Sequence, residues 1–348
     1  MKLSEFNYKL PKKFIAQKPL EPRHNSKLMV LHRDTKKIEH SCFFDILKYL
    51  RKGDVLVAND SRVIPARLFG KKKDTGAKVE ILLLYKKSKL VWQALVKPAK
   101  RLKDGIVIHF VDIEAKIIKN IGEGLCEVKF SSDIEDKLDK IGIMPLPPYI
   151  HNKLEDTERY QTIYSKIKGS AAAPTAGLHF TDQLISKIKK KGIELKFVTL
   201  HVGLDTFRPI QEDNIEDHKI HSEYCALSSE TASELNEAVN FGKRIIAVGT
   251  TSARVLETAC GENGKFKAFD GWTDIYIYPG YKFKAIRGLI TNFHLPKSSL
   301  LLMVSAFSGY NSSNVRIRNG KEFIFKAYQE AISKKYRFFS FGDGMFIE

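Results

Sequence analysis

GSAAAPTAGLHFTDQLISKIKKKGIELKFVTLHVGLDTFRP, residues 169–209, runs from loop to helix to strand in one stretch. Its tiny opening residues let the backbone approach a ligand or another backbone closely. Pro174 and Gly177 oppose a helix before Phe180. Thr181 is the predicted N-cap, with Asp182 in the first turn. Leu184, Ile185 and Ile188 form an apolar face at helical spacing. Lys187, Lys189, Lys190 and Lys191 collect at the helix end, and Gly192 closes it. A strand is predicted from Ile193 to Val202, alternating at first, with Thr199 and His201 opposite apolar Val198, Leu200 and Val202 later. His201 therefore ends a largely buried strand, just before the Gly203–Thr206 turn. In open α/β sheets ligands bind beyond such strand ends.

Upstream, SKLMVLHRD reads as a strand and turn, CFFDILKYL as a short amphipathic helix, and DVLVAND (54–60) as a buried strand. From 67 to 150 the texture changes to short strand-like runs: KVEILLLY, LVWQALVKP, IVIHFVDIEAKII and LCEVKFS. Such runs without helical periodicity predict a small antiparallel barrel. Residues 151–348 alternate strand and helix again. Strands are predicted at 244–248, 273–278, 288–293 and 337–341. Helices are predicted at 253–260, capped by Thr251 or Ser252, at 299–308, capped by Ser298 or Ser299, and at 321–335. The fold class is α/β: a layered main domain (1–66 and 151–348) with an inserted β-barrel domain (67–150).

The 348 residues suffice for two cores, and no apolar run approaches the roughly 20 residues of a membrane span. The start, MKLSEFNYKLPKKF, lacks an apolar signal region. Four scattered cysteines show neither metal spacing nor a disulfide framework, which points to a reducing, cytoplasmic location. A net charge of +18 suits a polyanionic partner such as RNA. A lysine-rich solvated surface would produce the same number.

No Walker A or dinucleotide fingerprint occurs. GTTSAR (249–254) puts a glycine and free N–H groups at a helix start, a setting for an anion, with Arg254 one turn on. His179, His201, His221 and His294 stand near motif ends without the spacing of a helical metal pair, so no metal is expected. His221 and Glu223 share a face if extended. Phe338, Phe339 and Phe341 read as core.

APTAGLHFT, TLHVG, NDSRVIPARL (59–68), LPPYI (146–150), ERYQTIY (158–164), AVGTTSAR (247–254), TNFHLP (291–296) and YRFFSFGDGM (336–345) occur in order along the chain. In this arrangement the chain resembles the S-adenosylmethionine:tRNA ribosyltransferase-isomerase family of queuosine biosynthesis. Two positions depart from the family pattern: Asp205 for a usual glycine and Gly344 for a usual alanine. The resemblance implies an enzyme that moves the ribose portion of S-adenosylmethionine onto 7-aminomethyl-7-deazaguanine at the wobble position of tRNA. Adenine and methionine would leave, and epoxyqueuosine would form. It implies a monomer, a consumed co-substrate in place of a cofactor, and no membrane. Catalytic duty falls to His179, His201 or Glu223. Substrate contacts fall to Asp60, Arg62, Thr175, Thr206, His221, Thr250, Thr251, Arg254, Thr291, Asn292, His294 and Asp343, most of them converging on one cavity. The rival readings are a non-catalytic tRNA-binding protein and a hydrolase with a His/Asp pair.

Overall fold

The computed structural model describes residues 1–203, 210–310 and 320–348. Asp205 and Thr206 lie outside the described residues. The chain divides into two compact units. One comprises Met1–Asp60, Pro148–Lys166 and Pro174–Glu348; the other comprises Ser61–Pro147 and Ile167–Ala173.

The first unit is built on a nine-stranded sheet. Its strands are β1 (Lys27–His32), β2 (Lys37–Cys42), β3 (Val55–Asn59), β4 (Glu194–Leu200), β5 (Glu223–Leu227), β6 (Ile245–Val248), β7 (Phe269–Thr273), β8 (Gly288–Asn292) and β9 (Gly344–Ile347). The spatial order is β7-β5-β4-β3-β6-β8-β9-β1-β2. Strands β4, β3, β6 and β8 run parallel. β3, β6 and β8 are buried along their whole length, as expected of strands covered on both faces. Leu56 and Ala58 join a core with Phe43, Phe180, Leu184 and Ile188, while Val55 and Val57 point the other way and are equally buried.

Among the described residues the α-helices of this unit are α1 (Asp182–Lys190), α2 (Ser229–Asn240), α3 (Thr250–Ala259), α4 (Ser299–Gly309) and α5 (Gly320–Ser333). Thr181 caps α1 by accepting the Leu184 N–H at 3.3 Å, and Gly192 beyond its end has φ +76°. Ser298 caps α4 by accepting the Leu301 N–H at 3.2 Å, and α4 is buried nearly all round.

Four local expectations need correction. Residues 43–48 form a 3₁₀ helix, which stacks Phe43 and Ile46 on one buried face. The strand sought at 273–278 lies at Phe269–Thr273 instead, because only that segment finds a partner in β5. Residues 337–341 are a loop with Phe339 at φ +70°, and the last strand is β9. Asp343 ties that loop by accepting the Arg337 N–H at 2.8 Å and the Lys27 N–H at 3.2 Å. Finally, α3 begins at Thr250 with Gly249 (φ +94°) as N-cap, so Thr251 and Ser252 lie inside the helix and do not cap it.

The second unit contains a closed six-stranded antiparallel barrel: Arg67–Lys72, Lys78–Lys86, Val91–Lys97, Leu125–Phe130, Glu114–Gly122 and Val107–His109 in spatial order. The first and last strands close it through Lys71 opposite His109. A Cβ on Gly70 would lie 2.7 Å from the His109 carbonyl oxygen, so glycine permits the closure. The run predicted at 106–118 is split in two, with a turn between His109 and Glu114. Trp92, Ala94 and Val96 fill the interior by strict alternation.

Candidate active site

Strand direction brings the candidates together. β3, β4, β6 and β8 all end on one edge of the sheet, at Asn59, Leu200, Val248 and Asn292. Antiparallel β9 and β5 begin on that edge, at Gly344 and Glu223, and β1, parallel to β9, begins there at Lys27. Asp60, His201, Glu223, Gly249 to Arg254, Asn292 to His294, and Asp343 therefore share the carboxyl edge.

Around His179 the polar groups are closely matched. The residue ends the 3₁₀ turn Thr175–His179 and is fully buried, its ring stacked on Phe43 at 4.6 Å. Asn292 Nδ2 donates to the Phe339 carbonyl at 3.1 Å, which fixes the amide orientation. The same NH₂ faces His179 Nε2 at 3.3 Å, so Nε2 accepts. Nδ1–H then donates to Ser26 Oγ at 2.7 Å. Thr175 Oγ1 donates to Asn292 Oδ1 at 3.4 Å. Burial, helped by the charge of Arg337, pushes the imidazole down to about 3. A recess beside it is lined by Leu20, Arg23, Arg159, Ser340 and Phe341. Arg23 and Ser26 carried no local sequence signal, whereas Arg159 stands inside the ERYQTIY motif.

Toward the other flank of the edge, Glu223 pairs with Arg254 in a buried ion pair. Glu223 Oε1 also accepts the Gly203 N–H at 2.8 Å. One strand inward, His201 lies over Tyr224, ring centroids 5.6 Å apart. Burial pushes its imidazole down to about 4. Nδ1 of His201 is buried and has no hydrogen-bond partner among the described residues. Thr251 Oγ1 and Arg254 Nε share that condition. Asp60 accepts from Thr199 Oγ1 at 2.7 Å; burial raises its carboxyl, and that hydrogen bond opposes the rise. A second recess is bordered by Arg254.

The other candidates fall in different settings. His294 is buried, with Thr291 Oγ1 on its Nε2 at 2.8 Å and the Tyr8 hydroxyl on its carbonyl. Asp343 is occupied by Arg337, at 3.0 Å from Nη2. Thr250 is buried in the first turn of α3. His221 is exposed. Arg62 belongs to the second unit, in a short strand paired with Ile167–Ser170.

Residues 3–347 match the family model described as a queuosine biosynthesis protein. The chain belongs to that family. It is 52% identical over 351 residues to the S-adenosylmethionine:tRNA ribosyltransferase-isomerase of Staphylococcus epidermidis, in each of two strains, with both chains covered in full. A solved S-adenosylmethionine tRNA ribosyltransferase from Thermotoga maritima has a similar fold, with a TM-score of 0.56 and 38% identity over 99% of this chain and 100% of that one. The mixed sheet with its closed barrel is thus the architecture of this enzyme family. Gly344 packs against the His179 site: a Cβ there would lie 2.8 Å from Phe43 Cδ2 and 3.6 Å from His179 Nε2.

Proposed function

We propose that this enzyme carries out its family's reaction at the carboxyl edge of the main sheet, with His201 as general base. S-adenosylmethionine is the ribosyl donor and is consumed. The acceptor is the aminomethyl nitrogen of 7-aminomethyl-7-deazaguanine at the wobble position of tRNA. The C–S bond breaks with its electron pair going to sulfur, which leaves as methionine. The glycosidic C–N bond breaks with its pair going to adenine, which takes up a proton. The acceptor amine gives up a proton as its new C–N bond forms, and the ribosyl group rearranges to the epoxycyclopentane of epoxyqueuosine.

The first demand is removal of a proton from the ribose carbon beside the sulfonium. The observation that carries the assignment is the buried His201 Nδ1, which has no partner among the described residues. Burial keeps that ring unprotonated near pH 7, so a nitrogen lone pair is open to the substrate proton, at the cost of lowered basicity. Both nitrogens of His179 are already engaged, and Glu223 is paired with Arg254. His179 and Asn292 then serve to shape the site. Asp60, Thr175, Thr250, Thr251, Arg254 and His294 line or brace the same edge, and Arg62, Thr206, His221, Thr291 and Asp343 complete the proposed set. We take residues 67–150 as a domain inserted into the α/β domain. A monomer acting in the cytoplasm on tRNA, with no metal or organic cofactor, completes the reading, and four free cysteines fit a reducing compartment.

The test is tRNA-dependent release of adenine together with exchange of the ribose 5′ hydrogen with solvent. His201→Ala should lower both by about 10²–10⁴-fold and leave S-adenosylmethionine binding largely intact. Normal exchange in His201→Ala, with loss in His179→Ala, would reverse the assignment.

A further inference from the structure

The buried pair Glu223–Arg254 is costly in isolation, because both charges leave water. Arg254 is 5% exposed and Glu223 7%. The guanidinium is only partly satisfied: Nη1 meets Glu223, Nη2 reaches the Thr273 carbonyl at 3.5 Å, and Nε has no acceptor among the described residues. One turn earlier on α3, Thr251 is 8% exposed and its Oγ1 is likewise unpartnered. Both stand in the first half of a ten-residue helix whose N-terminus favours negative charge. Buried donors left without acceptors call for a ligand that supplies them.

The adjoining recess adds a second kind of chemistry. Ile275, Tyr276, Ile277, Leu300 and Met303 line it together with Arg254. Four of these five are aliphatic or thioether side chains. The fifth, Tyr276, has a hydroxyl with no partner among the described residues and an aromatic ring that can attract an onium cation.

We propose that this recess holds the amino-acid end of S-adenosylmethionine, an inference that rests on the substrate reading above. The α-carboxylate takes the free donors of Arg254 and Thr251, and the α-ammonium takes the Glu223 carboxylate. A zwitterionic head is the charge complement of a buried Arg–Glu pair. The aliphatic wall receives the methylene chain, and the Tyr276 ring faces the sulfonium. This places the ribose carbon next to sulfur near His201, on the strand adjacent to that of Glu223.

The test is calorimetric binding of S-adenosylmethionine and its decarboxylated analogue to the full-length enzyme. The wild type should bind the decarboxylated form about tenfold or more weakly, the loss typical of a hydrogen bond to a charged group. Arg254→Lys should weaken S-adenosylmethionine by a similar factor yet leave the decarboxylated form unchanged. Thr251→Val, which keeps the shape, should narrow the preference without unfolding the helix and serves if Arg254→Lys does not fold. Equal affinities for the two ligands in the wild type, or equal losses for both in the variants, overturn the proposal. Adenine release measured in parallel separates the failures: if it persists with a flat ligand series, only the placement of the amino-acid end is wrong. If tRNA-dependent release is absent, the enzymatic reading fails first.

Discussion

His179 shows how a single side chain depends on its neighbours. Its tautomer follows from Asn292, whose orientation follows in turn from the Phe339 carbonyl. Its ring position follows from Phe43, which also contacts Phe180 edge-on at 5.3 Å. Gly344 leaves room for that ring, since an added Cβ would meet Phe43 at 2.8 Å. Gly344→Ala is therefore expected to cost about 1–3 kcal/mol through overpacking. Thermal or urea unfolding measures it, and adding Phe43→Leu should recover part of the loss. A neutral result would mean that Phe43 moves aside freely. Ser26 illustrates what local reading misses: it lies 153 residues from His179 and belongs to no chemical motif.

Helix ends were legible where a side chain does the capping. Thr181 and Ser298 accept N–H groups as their positions suggested. Thr181→Ala is expected to destabilise the protein by about 1 kcal/mol, read from the urea midpoint at constant slope. The start of α3 was misread because its cap is Gly249, whose positive φ leaves no side-chain signature. Strands were misread for a related reason. IYIY alternates like a strand, but strand identity is completed by a partner, and β5 pairs with Phe269–Thr273. Segments 273–278 and 337–341 instead supply recess walls, including Tyr276, Ser340 and Phe341.

Across the whole molecule, buried His179 and His294 and half-buried His201 are expected to steepen the acid limb of stability. His179 and His294 are pushed down to about 3 and His201 to about 4. Below about pH 6.5 the unfolded chain binds protons at these sites that the folded chain refuses. Stability should thus fall as pH drops from about 6.5 toward 4 and then 3, by up to about 1.4 kcal/mol per pH unit for each ring. Above that window these groups contribute no slope. Urea titrations from pH 4 to 8 check this, and His179→Gln should flatten the acid limb. The +18 charge belongs to the same level of description. Affinity for tRNA is expected to fall steeply with salt as counterions are released, and a flat response over a tenfold range would exclude the basic surface as the tRNA contact.

Periodicity and side-chain caps are local, so the α/β alternation, the barrel texture of 67–150 and the buried strand before His201 could all be read from neighbouring residues. The motifs named most of the polar groups at the strand ends. Their grouping was another matter. Which strands run parallel, and so which termini meet, depends on pairings such as β3 with β6, about 190 residues apart in examples like Asp54 and Arg244. Burial and hydrogen-bond satisfaction arise only from that assembly. Hence tertiary packing alone separates His179, with both ring nitrogens engaged, from His201, whose Nδ1 has no hydrogen-bond partner among the described residues, and turns Glu223 from a candidate base into the partner of Arg254.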